Sequence, residues 1–355
     1  MKRSISIINT EIQLINVIEA IHHFECTENY LVIGQFNIRM NRIQKIEKML
    51  NEPLFKQHFK KIIHLPLYLS NKNPLRFLAY ILAYVKFFFL ILCNKKFDCC
   101  FFGVVTDIIV KPITYLTLYK NPQCTLCLID EGTRTEAEAN ERILKGELIA
   151  RQQKRKRLLF SGYCLAIIRK WIYPALTYFS IHKPSLLPQD SLIKNNYTFF
   201  KGHKISNISL DDNAVIIVGQ PMYELHITTL EKYQKIIYHI VNKYANKHIY
   251  YAPHPIETEF HKWMSNQVSL IQTHYPLELV LMVNKVDFLI GFDSNVLINA
   301  ASLKLCENII SIPIRDSSCR PDEKTKKANY EYHQLGIHVA TVNFHDEETS
   351  QKQSI

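Results

Sequence analysis

Glycine and tryptophan are both scarce in this chain of 355 residues, which has nine glycines and two tryptophans. So few glycines argue against an all-β sandwich rich in tight loops. The sequence also contains no internal repeat, no low-complexity block and no zinc-finger spacing, and it carries no signature of a nucleic-acid-binding domain. These absences exclude repeat arrays, and we expect no nucleic-acid partner.

The amino terminus lacks the features of a secretory signal, because Glu11 interrupts the apolar run and no small-residue cleavage site follows. The nine cysteines are an odd number, and several lie in apolar runs, as expected of reduced and buried thiols. We therefore expect a cytoplasmic protein. Cys124 and Cys127 have no second CxxC pair nearby, so packing is favoured over a metal or redox site.

Positive charge is in excess, with 43 Lys and Arg against 32 Asp and Glu and a net charge of +11. A basic surface attracts phosphorylated small molecules or an acidic membrane. Residues 151–170 mix basic and apolar side chains, which is typical of peripheral contact with the anionic inner face of a bacterial inner membrane, and nearly as typical of a solvated helix face. For the apolar residues 77–93, which Lys86 interrupts, we predict a buried helix, with a membrane-dipping helix as the alternative.

Strand-like apolar segments alternate with helical segments in two blocks of the chain. This alternation predicts parallel sheets with helices on both faces. Residues 133–205 lose the alternation, so we place the domain junction there. We predict an α/β protein of the GT-B type, with two Rossmann-like domains at residues 1–205 and 206–345 facing a central cleft, followed by a flexible tail at 346–355.

Two adjacent carboxylates end the segment TLCLI and are followed by glycine, as Asp130-Glu131-Gly132. Ligands of open α/β sheets bind at the carboxyl ends of the strands. A carboxylate there can take a proton from an attacking hydroxyl, and Gly132 lets the backbone turn close to a ligand. Taken alone, the motif is better explained as a helix N-cap with an acidic first turn.

His254 lies between two prolines in YYAPHPIE, at the end of another strand-like segment. The prolines restrict the backbone, so the imidazole would be held at the strand end with little freedom. A histidine there can donate a proton to a leaving phosphate or bind it as imidazolium. A plain turn histidine is an equally good explanation.

Three further segments of the second block end at the same predicted edge of the sheet. Gly219 and Gln220 lie in VGQP, where glycine permits close approach of a ligand to the backbone. Ser294 and Asn295 begin a helix, whose free amides and hydroxyl suit a phosphate. Glu278 can accept hydrogen bonds from ribose hydroxyls. The structural alternatives are plain helix capping at Ser294 and a solvated helix position for Glu278.

With these motifs in this order, the chain resembles the bacterial lipooligosaccharide sialyltransferases, glycosyltransferase family fifty-two. That family has an acidic pair followed by glycine, an HP motif and a serine-rich helix start, matched here at residues 130–132, 254–255 and 294–295. YTFFKG at 197–202 is similar to its stretch at the domain junction, so the resemblance covers nearly the whole chain. The chain departs from the family at Ser294-Asn295, where two hydroxyl residues are usual.

The resemblance implies a GT-B fold, CMP-sialic acid as the donor, and inversion at the anomeric carbon with no metal cofactor. It makes Asp130 the base, with Glu131 able to exchange roles with it, and His254 the acid acting on the CMP phosphate. The acceptor would be a terminal galactose of a lipooligosaccharide or capsular glycan, joined by an α-2,3 linkage. The residues expected on the donor side are Gly219, Gln220, Pro255, Glu278, Ser294 and Asn295, and those on the sugar side are Asn9, Thr10 and Gly132.

The expected partners are therefore a nucleotide-sugar donor to the second domain and a glycan or glycolipid acceptor to the first, and a homodimer is compatible with the sequence. Two other functions stay open. The same fold can use another donor, CMP-Kdo or a nucleotide-hexose, or the protein can bind anions or membranes without catalysis. The central expectation is that Asp130 and His254, from different domains, meet across one cleft.

Overall fold

A computed structural model describes residues 1–34, 40–65, 82, 85, 87–89, 91–93, 96–103, 110–131, 135–144, 174–203, 205, 209–257, 267–313 and 332–340. The chain folds as two compact units, Met1–His203 and Lys204–Ile355. Each unit is built on one sheet of parallel strands, so the predicted α/β class with two domains is confirmed. The predicted tail at 346–355 lies outside the described residues.

The first unit contains a seven-stranded parallel sheet. Its strands are β1 (Arg3–Ile8), β2 (Glu28–Gly34), β3 (Lys61–Leu65), β4 (Cys99–Phe102), β5 (Thr125–Ile129), β6 (Thr177–Ser180) and β7 (Ser191–Lys194). Their spatial order is β3-β2-β1-β4-β5-β6-β7. The helices are α1 (Glu11–His23), α2 (Met40–Leu50), α3 (Pro53–Lys56), α4 (Val110–Lys120) and α5 (Thr198–Lys201), and residues 135–144 are also helical.

The second unit contains a six-stranded parallel sheet. Its strands are β8 (Ala214–Val218), β9 (Ile249–Ala252), β10 (Val268–Leu270), β11 (Val286–Gly291), β12 (Asn308–Ser311) and β13 (His338–Val339). Their spatial order is β10-β9-β8-β11-β12-β13. The helices are α6 (Leu230–Lys243), α7 (Leu277–Val283) and α8 (Asn295–Leu303).

The central strands are buried on both faces because helices cover both sides of a parallel sheet. Every residue of β2 and of β8 is buried. Cys124 and Cys127, for which packing was predicted, are both buried free thiols beside this core. The sheets are therefore held by burial of continuous apolar strands, which leaves the polar residues at the strand ends.

The strand order reverses once in each sheet, between β1 and β4 in the first unit and between β8 and β11 in the second. At such a reversal the connections leave toward opposite faces, and a crevice opens at the carboxyl ends of the two strands. Asn9 and Gly103 directly follow the two strands in the first unit, and Gly219 and Phe292 follow those in the second. These ends are the places where ligands of such sheets bind.

Two sequence predictions need correction. Residues 133–205 were expected to lack alternation, yet they contain β6 and β7, whose short apolar cores are framed by turn residues. The described residues in 77–93 are helical, but only one face is buried: Phe87 and Ile91 are 2% and 0% exposed. Leu82, Val85, Phe89 and Leu92 are 50%, 48%, 63% and 50% exposed, so the prediction of a buried helix is wrong for that face.

Candidate active site

Asp130 lies directly after β5, and its carboxylate is held by neighbouring elements of the first unit. Thr135 Oγ1 donates to Oδ1 at 2.9 Å, and Ser180 Oγ donates to Oδ2 at 2.9 Å. The backbone N–H of Ile181 also donates to Oδ2, at 3.2 Å. The side chain is buried, at 2% exposure, and His182 Nε2 lies 3.8 Å from Oδ2. Asp130 thus ties the end of β5 to β6 and to the helical residues 135–144.

The backbone at Asp130 is fixed by a second, buried polar group. Asn16 on α1 donates from Nδ2 to the Asp130 carbonyl at 2.8 Å. Its Oδ1 accepts from Asn195 Nδ2 at 3.0 Å and from the hydroxyl of Tyr197. Tyr197 has a left-handed backbone conformation, with φ of 52°. Tyr197, in the YTFFKG segment, therefore helps to fix the backbone at the end of β5 through Asn16.

Glu131 is placed differently from its neighbour. Its side chain is partly exposed, and its backbone N–H donates to Thr135 Oγ1 at 2.8 Å. One hydroxyl, that of Thr135, thus accepts from the Glu131 backbone and donates to Asp130. The Thr135 hydroxyl therefore links the Glu131 backbone to the Asp130 carboxylate. Gly132 lies outside the described residues.

The end of β1 brings together several polar side chains. Thr10 is the N-cap of α1 and accepts from the Gln13 backbone N–H at 3.3 Å. The Asn9 backbone N–H donates to Gln13 Oε1 at 2.7 Å, which turns Gln13 Nε2 toward Gly103 at the end of β4. Buried atoms of Asn9 (Oδ1), Glu11 (Oε2) and Gln13 (Nε2) have no hydrogen-bond partner among the described residues. Buried polar atoms left in this state are suited to a polar ligand.

In the second unit, His254 sits in a turn directly after β9. The Glu257 backbone N–H donates to the His254 carbonyl at 2.9 Å, which closes the turn. The backbone N–H of Ile256 points at His254 Nδ1, at 3.2 Å. Nδ1 must therefore accept, so the neutral ring carries its proton on Nε2. The turn presents a histidine with a defined N–H donor.

Glu257 is buried behind this turn, at 5% exposure. Its Oε2 accepts from the His254 backbone N–H at 2.6 Å, and its Oε1 accepts from Tyr251 at 2.7 Å and Tyr233 at 3.3 Å. Burial raises the pKa of Glu257 to about 7, although the hydrogen bonds oppose that shift. Gly219 lies against this group, and a Cβ at that position would overlap the Glu257 carboxylate. The glycine is therefore required by close packing at the end of β8.

The start of α8 has the capping geometry expected from the sequence. Ser294 Oγ accepts from the Val296 backbone N–H at 3.3 Å, and its O–H proton stays available to donate. Glu278 on α7 is buried and accepts from Asn299 Nδ2 at 2.8 Å, which joins α7 to α8. The structural alternative of a solvated helix position for Glu278 is wrong, and its contact with ribose stays a prediction.

The structure places the predicted residues in two groups, one in each unit. Asn9 and Thr10 lie at the end of β1, and Asp130 and Glu131 at the end of β5. The second group consists of Gly219, Gln220, His254, Pro255, Ser294 and Asn295, all at the carboxyl ends of β8, β9 and β11. Glu278, at the start of α7, is linked to the second group through Asn299 on α8.

Sequence reasoning missed the supporting residues Gln13, Asn16 and Glu257. Glu257 had a signal, because it stands three residues after His254 and can bond back to that residue's N–H. Gln13 and Asn16 follow the Thr10 cap at helical spacing, but only the tertiary structure shows what they touch. Among the described residues, no group of three His, Cys, Asp or Glu could hold a metal ion.

Two parallel sheets, each with candidate ligand-binding residues at its reversal of strand order, define the GT-B class of glycosyltransferase folds. Solved structures agree. An α/β-galactoside α-2,3-sialyltransferase from Photobacterium phosphoreum is 11% identical, with 95% of this chain and 98% of that chain covered and a TM-score of 0.54. UDP-GlcNAc 2-epimerase from Methanocaldococcus jannaschii is 15% identical, with 100% and 92% covered and a TM-score of 0.51.

The family model of the alpha-2,8-polysialyltransferases (POLYST) matches residues 4–312, and the chain belongs to that family. The predicted sialyltransferase resemblance is confirmed at this level, and its lipooligosaccharide specificity stays a prediction. A comparison with curated proteins found no match. Within the described part of the chain, no helix is both long and apolar enough to span a membrane.

Proposed function

We propose that the protein transfers sialic acid from CMP-sialic acid to a hydroxyl group of a glycan acceptor, with inversion and without a metal ion. The observation that carries the proposal is the turn that presents His254 with its proton on Nε2. It supports a hydrogen-bond donor aimed at a leaving phosphate, within a family named for sialic acid transfer.

His254 acts in this proposal as a hydrogen-bond donor to the CMP phosphate. Full proton transfer is not required, because a phosphate monoester dianion is already a stable leaving group at neutral pH. The start of α8 supplies the remaining stabilisation through the Ser294 hydroxyl and the positive end of the helix dipole. CMP carries less charge than a nucleoside diphosphate, so these donors suffice without a metal ion.

We assign the general base to Glu131, the second of the two carboxylates that the sequence left open. Asp130 is buried, and its two oxygens accept three hydrogen bonds from its own unit. A base must present a lone pair to the acceptor hydroxyl, and a partly exposed side chain can do so. In this assignment Asp130 has a structural role: its hydrogen bonds fix the end of β5, directly before Glu131.

The acceptor is proposed to bind beside the end of β1. Asn9 Oδ1 and Glu11 Oε2 are acceptors and Gln13 Nε2 is a donor, and all three atoms are buried without a described partner. Sugar hydroxyls both donate and accept, so they suit such a mixed set. The family name favours a terminal sialic acid and an α-2,8 linkage. A terminal galactose and an α-2,3 linkage, predicted from the sequence, form the second candidate.

A glycolipid acceptor would require access to a membrane surface. Leu82, Val85, Phe89 and Leu92 are exposed and fall within an arc of about 80° on one helical face. Such a stripe on a basic protein suits the interface of an anionic membrane. We propose this face as the peripheral contact; residues 151–170, predicted for that role, lie outside the described residues. Vesicles of phosphatidylglycerol should bind the protein, and Phe89→Ser with Leu92→Ser should weaken that binding.

A donor and acceptor screen tests the proposed function. The purified protein is incubated with CMP-sialic acid, CMP-Kdo or UDP-hexoses, with EDTA present, and with a galactoside or an α-2,8-linked sialoside as acceptor. CMP release and product mass are measured, with His254→Ala, whose turnover should be strongly reduced, as the reference. The proposal expects turnover with CMP-sialic acid alone among the donors. Turnover only with CMP-Kdo or a hexose donor would support the second donor class, and binding without turnover would support the non-catalytic alternative.

A further inference from the structure

We propose that Glu257 is a positioning residue that holds His254 in the conformation needed to meet the donor phosphate. This inference rests on the proposed function, since it concerns the same histidine. It assigns a role to a carboxylate that neither the sequence motifs nor the family name identifies. The hydrogen bonds of Glu257 to His254 involve the backbone N–H and carbonyl of the histidine, so its effect passes through the backbone of the turn.

The first step is the double attachment of the turn to Glu257. Its carboxylate oxygen accepts the His254 N–H at 2.6 Å, and its own N–H donates back to the His254 carbonyl at 2.9 Å. Both backbone groups of His254 are therefore bound by one residue. With Pro253 and Pro255 restricting the flanking torsions, few degrees of freedom are left to the histidine backbone.

The second step is the anchoring of Glu257 in the core of the second unit. Tyr251 on β9 and Tyr233 on α6 both direct their hydroxyls at Oε1, and these hydroxyls lie 3.0 Å from each other. Both tyrosines are buried. The Tyr233 hydroxyl also accepts from the Gln220 backbone N–H, at 3.1 Å. One buried carboxylate thus connects the ends of β8 and β9.

The third step is the consequence for the ring. The Ile256 N–H reaches His254 Nδ1 only while the turn stays closed, and that bond selects the ring form with the proton on Nε2. Loss of the Glu257 carboxylate frees the His254 N–H and lets the turn open. Both nitrogens of the neutral ring can then carry the proton. A shift of this kind at a reacting group costs on the order of 10²-fold in rate.

The kinetic test compares Glu257→Ala with Glu257→Gln. The glutamine oxygen can accept the His254 N–H while its amide donates to Tyr251, whose hydroxyl can turn to donate to Tyr233. We expect kcat to fall about 10²-fold in the alanine variant with little change in KM for the donor, and to recover to within a few-fold in the glutamine variant. Glu231→Ala, in which an exposed glutamate of α6 is removed, is the matched control and should behave as wild type.

Combination with His254→Ala separates positioning from a general loss of structure. If Glu257 acts through His254, the double variant should be no slower than His254→Ala alone. A further loss of about 10²-fold in the double variant would overturn the proposal. So would an unchanged kcat in Glu257→Ala.

A spectroscopic test does not depend on turnover. In ¹⁵N-histidine NMR spectra, the wild-type signal that disappears in His254→Ala should show an Nε2-protonated ring. Glu257→Ala should shift that signal toward a mixture of both ring forms, and an unchanged signal would refute the role of Glu257. If the alanine variant does not fold, Glu257→Asp, which keeps the charge but shortens the reach, should show the same shift. A wild type that fails to release CMP while the NMR result holds would reject the proposed reaction but retain the positioning role.

Discussion

The two carboxylates at the end of β5 should respond to substitution in opposite ways. Asp130→Asn places an amide NH₂ where the native carboxylate accepts hydrogen bonds from Thr135, Ser180 and Ile181. Hydrogen bonds to a charged group contribute about 1.5–3 kcal/mol each, and asparagine keeps one accepting oxygen. We expect a loss of about 2–4 kcal/mol in the free energy of unfolding. Glu131→Gln keeps the size of a partly exposed side chain and should change stability by less than about 1 kcal/mol.

The loss of activity should be larger for Glu131→Gln than for Asp130→Asn, which is the reverse of the order expected for stability. Without a base, Glu131→Gln should lose about 10²–10⁴-fold in kcat while its binding of CMP stays normal. At temperatures where it is folded, Asp130→Asn should keep a larger fraction of the wild-type kcat than Glu131→Gln does. Urea unfolding followed by circular dichroism measures the first effect, and CMP release at saturating donor measures the second. A stable but inactive Asp130→Asn, together with an active Glu131→Gln, would show that Asp130 is the base.

Three other perturbations have definite expected outcomes. Arg142→Met should cost about 3–5 kcal/mol in the free energy of unfolding, since it leaves Asp190 buried without its ion-pair partner at 3.0 Å. His58 has its pKa lowered to about 4, first by burial, so stability should be full above about pH 6.5 and fall by up to about 2 kcal/mol at about pH 5. Gly219→Ala should weaken CMP binding and lose about 1–3 kcal/mol of stability, because its Cβ overlaps the Glu257 carboxylate.

Each of these has a matched comparison. Lys235→Met breaks an exposed ion pair on α6 and should cost under about 1 kcal/mol, so an equal loss from Arg142→Met would contradict the burial argument. His58→Gln should flatten the acid dependence, and a full decline in its presence would assign the proton uptake to other groups. Gly202→Ala introduces only an ordinary contact at 3.4 Å to the Phe199 carbonyl and should leave both stability and CMP affinity unchanged.

Strand ends were the part of the fold that local pattern predicted well. β5 begins and ends where the apolar run TLCLI does, and β8 ends at the valine of VGQP. Burial on both faces makes such strands continuous apolar runs, which are visible without tertiary information. β6 was missed because the strand has only four residues and follows a segment of mixed apolar and basic residues that shows no strand pattern.

The supporting residues of the site were harder to predict for a physical reason. Asn16 bonds to the carbonyl of Asp130, which is 114 positions away, and no local periodicity encodes that pairing. Which of the two carboxylates is buried also depends on distant residues. Ser180 in β6 and Ile181 directly after it both donate hydrogen bonds to the Asp130 carboxylate. Glu257 is the exception, because its bond to His254 spans only three residues.

The contacts of Arg142 have a consequence for how the family can vary. This side chain donates to the Pro174 carbonyl at 3.1 Å as well as to Asp190, so it joins the helical residues 135–144 to the residues that precede β6 and β7. A relative that lacks the arginine should therefore lack the acidic partner as well, because a buried carboxylate without its cation is strongly destabilising.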